Sequence, residues 1–492
     1  MKSYTAYSRI SDPRLLDIFL LLSVLSLLWL AGCAVNAATG ERHFSLISEA
    51  QEIQMGKESD QQVVSSLGLY DNPELQSYVT DIGMRLAARS ERPNLPWTFR
   101  VVDDPVVNAF ALPGGFIFVT RGILANLTSE AQLAGVMGHE IGHVTAQHSV
   151  HQMSTQQLMQ AGLSIGMAVK PELQQYGQLA TMGLSVLFLK FSRDDESQAD
   201  ALGVRYSYRI GDDPHELISV MKMLDHVSQS SGQRIPEWLS THPDPGNREV
   251  NIQQNIDTIR GSFAGKKVDS DTYFKHVDGI VYGDNPRDGF FRSTTFYHPD
   301  MKFTFTFPAG WQTANQKQAV QAMSPNNDAV LQITLSGKKT AAEAAQAFTS
   351  QQGFTSEPQK NISIHGFAAR SGGFTATSDQ GVMQGEAAFV EFNGAVFQIL
   401  GYSAQTAWAG YKGAVEQAFP TFDKLTDAKI LNAQPMHLKL VKLDKAMTLT
   451  QFNQKYPSSV PIENLSIINQ MDQGQLIAAG KWVKRVVGEK VE

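Results

Sequence analysis

His139-Glu140-Ile141-Gly142-His143 sets two imidazoles four residues apart, with a carboxylate beside the first. On a helix, residues at that spacing share one face about a turn apart, so His139 and His143 can bind one metal ion together. Neutral imidazole nitrogens suit zinc. Glu140 would project beside the ion rather than onto it, where it can take a proton from metal-bound water. Two surface histidines on a polar helix face would read the same way, so the surroundings decide. A catalytic zinc needs a third protein ligand and an open position for water. Glu196-Ser197-Gln198-Ala199-Asp200 offers Glu196 as that ligand. Asp200, on the same face, could accept the remaining N–H of a ligand histidine. Taken alone, Asp194-Asp195-Glu196 would equally serve as a solvated acidic helix start. His148 lies five residues beyond His143, off the ligand face, and it and His151 are expected to be non-ligands.

These side chains need elements to hold them. Recurring apolar positions predict helices over 49–67 and 73–89, followed by a short strand over 97–102. Pro113-Gly114-Gly115 is a turn signal between 106–112 and 116–120, which suggests a β-hairpin. Thr128 or Ser129 can cap the next helix, expected to run through the paired histidines to about Met153. The apolar stretch 158–191 is broken by glycines and Pro171, which suggests a buried helical hairpin or a lid facing a membrane or partner. Helices are expected over 195–208, from 214 to 227 and over 248–260, with a proline-bounded loop at 236–245 that holds His242.

The C-terminal half has no obvious chemistry. Composition turns to Gly, Ser, Asp and Lys around 262–296, which reads as a linker. Beyond it, 302–307, 329–335, 383–392 and 396–402 read as strands, and 341–351 and 407–419 as helices. The last unit, with Leu449, Phe452, Tyr456, Leu465 and Ile468-Asn469, weakly resembles a LysM-type glycan-binding module; a small structural tail domain is the alternative.

His139-Glu140-x-x-His143, Glu196-x-x-x-Asp200 with Ala199 and Gly203, and Thr241-His242-Pro243 followed by Arg248 resemble the zinc metallopeptidases grouped with HtpX, BepA and the CaaX prenyl protease. Asn108-Ala109-Phe110-Ala111-Leu112-Pro113-Gly114-Gly115 is similar to the strand and turn that precede that family's active-site helix. Gln147, where many members carry arginine, departs from the pattern. The resemblance covers 44–260. It implies a mainly helical gluzincin-type domain that binds one Zn2+ per chain through His139, His143 and Glu196, with Glu140 as base and Asp200 behind a ligand histidine. It also implies that His242 approaches the metal and fills the water position in a latent state. Otherwise His242 could donate to the developing oxyanion or cap the Pro243 turn, and Arg248 could steady the substrate or the His242 loop.

The N-terminus suggests an address. Lys2, Arg9 and Arg14 precede an apolar run from 18 to 30, which suits a signal segment better than a membrane span. It closes on Leu30-Ala31-Gly32-Cys33, which resembles a bacterial lipobox with Cys33, the only cysteine, as the lipidated residue. An uncleaved membrane anchor is the alternative. Ala34 after the cysteine implies sorting to the outer membrane. A net charge of -7 gives no electrostatic reason to expect nucleic acid as a partner. With 42% hydrophobic and 18% charged residues the bulk reads as globular.

The expectation is therefore an α+β chain: signal peptide 1–32, zinc metalloprotease domain 33–262, linker 263–296, PsbP-like α+β domain 297–428 and LysM-like module 429–492. It would be a periplasmic, lipid-anchored metalloendopeptidase that cleaves cell-envelope proteins, with peptidoglycan contact through its tail. The alternative is an envelope chaperone or assembly factor that acts mainly by binding.

Overall fold

The computed structural model describes residues 33–157, 191–230, 242, 247–378 and 381–490. The apolar N-terminal segment, the 158–190 stretch and the rest of the loop around His242 lie outside them. Among the described residues no helix is long and apolar enough to cross a membrane.

The N-terminal half is mainly helical. A two-stranded strap, β1 (Cys33–Val35) and β2 (Arg42–Phe44), leads to α1 (Glu49–Leu67), which Ser48 and Gln51 start with a reciprocal capping box. Asn72 caps α2 (Pro73–Ala87), with Pro73 in the first turn, where its missing N–H costs nothing. A three-stranded sheet follows: β3 (Thr98–Val102) lies parallel to β5 (Phe116–Thr120), and β4 (Ala109–Leu112) pairs antiparallel with β5 as the edge strand. Gly114 and Gly115, at φ 78° and 101°, supply the left-handed turn of the expected hairpin. After α3 (Arg121–Asn126) comes α4 (Glu130–Thr145), capped by Ser129, with every one of its residues buried.

The expected continuous helix to Met153 is interrupted. α4 ends at Thr145, Gln147 takes a left-handed φ of 60°, and α5 resumes at His148 and runs to 157. No glycine or proline marks this break, so periodicity alone reads through it. α6 (Arg193–Ile210) packs on α4, followed by α7 (Glu216–Ser230), α8 (Arg248–Asp257) and α9 (Ser270–Val277). The α4–α6 approach depends on missing side chains. A Cβ on Gly138 would sit 3.2 Å from Gly203 Cα, so this pair lets the two backbones come close enough for α6 carboxylates to reach α4 imidazoles.

Within 263–296, read from composition as a linker, Tyr273, Phe274 and Val277 of α9 are buried in the main core. These apolar runs are too short to show a period. The strand-rich region beyond is an eight-stranded sheet built through Ala329–Leu335, Ala395–Ala404, Gly381–Phe392 and Phe367–Ser378, all antiparallel. Alternate residues of the Gly381–Phe392 strand feed two cores. Ala388 and Val390 pack with helix Gln405–Ala418, while Ala387 and Phe389 pack with helix Ala341–Thr349.

The last 60 or so residues return to the first half. Strands Met436–Lys442 and Trp482–Val487 pair antiparallel around helices Leu449–Lys455 and Ile462–Asn469, and the first strand also pairs with Val281–Tyr282. Leu438, Phe452, Leu465 and Val486 belong to the same core as Leu133, Val136 and Ile141 of α4. Lys484, fully buried, donates to the carbonyls of Ala125 and Leu127 at 2.8 Å each, and so satisfies the C-terminal end of α3.

Candidate metal centre

α4 presents His139 and His143 on one face, α6 brings Glu196, and His242 enters from the loop before α8. One ligand atom from each of the four lies within 4.8 Å of all the others, and all four residues are buried. His139 Nε2 is 3.0 Å from His143 Nε2 and 3.3 Å from His242 Nδ1. His242 Nδ1 is 2.8 Å from Glu196 Oε1, and Glu196 approaches each α4 imidazole to 3.5 Å. The sequence-predicted ligands are thus brought together, and His242 joins them. His148 and His151 stand outside the group.

Behind His139, its Nδ1 donates to Asp200 Oδ1 at 2.9 Å. Arg248 grips the same carboxylate with two parallel bonds, Nη2 to Oδ1 at 2.5 Å and Nε to Oδ2 at 2.9 Å. Burial opposes the Asp200 charge, yet Arg248 and His139 outweigh it and hold the carboxyl at about 2. Arg248 therefore steadies the ligand support itself. Burial, then the neighbouring imidazoles, push His143 well below the ordinary histidine range and keep it neutral, the form a metal needs. Phe191 stacks on the His143 ring, with centroids 4.0 Å apart. No signal in the sequence singled out Phe191.

The donor set fits zinc. With Nδ1 of His139 committed to Asp200, its Nε2 carries a lone pair aimed at the Nε2 of His143. Two ring nitrogens 3.0 Å apart are placed so that one cation could take both. Bonds of about 2.0–2.1 Å at tetrahedral angles put ligand nitrogens ~3.3 Å apart, close to the spacing observed. Glu196 Oε1 faces His242, while its Oε2 lies 3.3 Å from the Arg248 guanidinium, so Arg248 reaches both carboxylates of α6. Glu140 sits beside the group, its Oε1 3.6 Å from His242 Nε2.

Residues 73–256 match Peptidase family M48. The beta-barrel assembly-enhancing protease of Escherichia coli is 32% identical over 225 residues, 44% of this chain and 46% of that protein. The mitochondrial metalloendopeptidase OMA1 of Schizosaccharomyces pombe is 30% identical over 220 residues, 44% of this chain and 64% of its own length. That of Arabidopsis thaliana is 36% identical over 170 residues, 34% of this chain and 33% of its own. The chain thus spans about half the length of the bacterial relative. The solution structure of Synechocystis CyanoP aligns at 16% identity with a TM-score of 0.23, over 27% of this chain and 94% of its own, a likeness too low to bear on the C-terminal half. The family match runs from the start of α2 into α8 and so takes in every element that carries a member of the buried cluster; over this segment the chain is similar to the M48 metallopeptidases.

Proposed function

We propose that the chain is a zinc metalloendopeptidase that hydrolyses proteins of the cell envelope, with Glu140 as its general base. The observation that carries this is the convergence of His139, His143 and Glu196 on one buried point with Glu140 alongside. Bound zinc would lower the pKa of its water toward ~7 and polarise the scissile carbonyl. Glu140 is placed to take a proton from the attacking water and would pass it to the leaving amine. Asp200 and Arg248 hold His139 in one tautomer and one orientation, and the buried surroundings limit access of bulk water. β4 is the edge of its sheet, so an extended peptide adding there would gain backbone hydrogen bonds.

His242 makes the enzyme latent. Its Nδ1 faces Glu196 and His139 and so takes the place that water would need, and movement of its loop opens the site. Cys33 carries the lipid and tethers the chain in the periplasm at the outer membrane. Residues 297–428 form a PsbP-like domain, and the two helices of the tail, flanked on each side by a short and a longer strand, support a LysM-like module with a peptidoglycan contact. An assembly factor that acts by binding is the second reading; a cleft of about 1100 Å³, lined from both halves by Asp103, Arg121, Lys317 and Phe397, favours it. Replacing Glu140 by Gln decides between them. The protease reading expects zinc to stay bound while peptide cleavage and cellular function are lost; retained cellular function without cleavage would support the binding reading.

A further inference from the structure

Beyond the four-residue cluster, the second histidine ligand has a support of its own. The break at Ala146–Gln147 turns α5 back, and His148, which a continuous helix would carry away from the site, comes to lie with its Nδ1 2.9 Å from His143 Nδ1. Both rings are buried. Two facing nitrogens make a hydrogen bond only if one carries the proton, and the next partners along assign it. Gln198 donates through Nε2 to Glu41 Oε2 at 3.0 Å, which fixes the orientation of its amide. Its Oε1 then faces His148 Nε2 at 3.2 Å and must accept from it. A neutral His148 protonated on Nε2 offers a bare Nδ1, so His143 Nδ1–H donates to it. His143 Nε2 is left as a lone pair on the metal side.

We propose that His148 is a positioning residue for the zinc ligand His143, set in turn by Gln198 and by Glu41 of the N-terminal strap. The inference rests on the zinc reading above. It parallels the Asp200 support of His139 but uses a neutral acceptor in place of a carboxylate. It also gives the strap a chemical role. Asn36 of the strap donates to the carbonyl of Thr145 at the end of α4, and Arg205 of α6 donates to Ala38, so the segment that follows Cys33 is bonded to both helices that carry the ligands. Glu41 extends that attachment to His143 through three hydrogen bonds in series.

The test is zinc affinity of the full chain, stripped of metal and titrated with zinc against a chromophoric chelator. His148→Phe removes the acceptor while filling the space, and a 10–100-fold weaker zinc affinity is expected. His148→Asn places an oxygen near the lost Nδ1 and should stay within about threefold of wild type. A merely structural role would instead lower the denaturation midpoint of both metal-free variants alike. Should His148→Phe fail to fold, Gln198→Leu, at a half-exposed position, removes the nearer acceptor of His148 Nε2 and leaves only Asp195 Oδ1 at 3.6 Å, which should weaken zinc several-fold; Glu41→Ala should act in the same direction and less. Wild-type affinity in His148→Phe, or in Gln198→Leu where that replaces it, overturns the inference, as does equal loss in the Phe and Asn variants. A wild-type chain that binds no zinc overturns the parent reading, and this one with it.

Discussion

Two buried polar centres, one around His139 and one around Lys484, lie on the same body of helices and differ in what they lack. At the first, His139, His143 and Glu196 bring ligand atoms to a common spot where a cation could be held. At the second, Lys484 brings its own N–H donors to the carbonyls of Ala125 and Leu127, with Asn469 and Gln470 tying the same neighbourhood to α3 and α4. A buried polar group that is satisfied within the chain marks structure; one satisfied only by something added marks a site. Asp212 is a third kind, a buried carboxylate whose Oδ2 has no hydrogen-bond partner.

Breaking the first centre should act on chemistry and leave the fold. Glu140→Gln is expected to cut peptide hydrolysis by about 10²–10⁴-fold with zinc content unchanged, measured on a fluorogenic peptide alongside metal analysis. His242→Ala should move activity the other way, raising the rate roughly tenfold by vacating the water position, a gain of about 1.4 kcal/mol in the open form. A fall in rate would instead assign His242 to the oxyanion.

Breaking the second should act on the fold and spare the chemistry. Lys484→Met leaves two carbonyls at the end of α3 without donors and should cost about 1–3 kcal/mol, read as a lower urea midpoint. Zinc affinity of the folded fraction should be unaltered. The smallest effect is expected at Asp212. Burial raises its carboxyl to about 6, with Arg85 pulling the other way. The folded state then holds the proton more tightly than the unfolded one, so wild-type stability should fall as pH rises from about 4 to about 6. Asp212→Asn should remove that slope and be the more stable protein at pH 7.5, by about 1 kcal/mol, with little difference at pH 4.

The chemistry was legible because spacing on helices is local information. His139, His143, Glu196 and Asp200 each announce themselves by a four-residue step, and the structure does bring them together. The hairpin was legible through Pro113-Gly114-Gly115 for the same reason. What escaped was tertiary or conformational. Gln147 adopts a left-handed φ without the glycine or asparagine that usually signals one, and so His148 could not be placed against His143 from its number alone. The burial of Tyr273 and Phe274 and the return of the tail to the α4 core are long-range packing, which no local period encodes.

Every role assigned to the site depends on the metal. Anomalous scattering at the zinc edge from crystals of the purified full chain, with metal content measured on the same sample, is the most direct measurement. One zinc per chain, ligated by His139, His143 and Glu196, is the predicted result. A chain that purifies without zinc and binds none when it is offered, or zinc held by other residues, would contradict it.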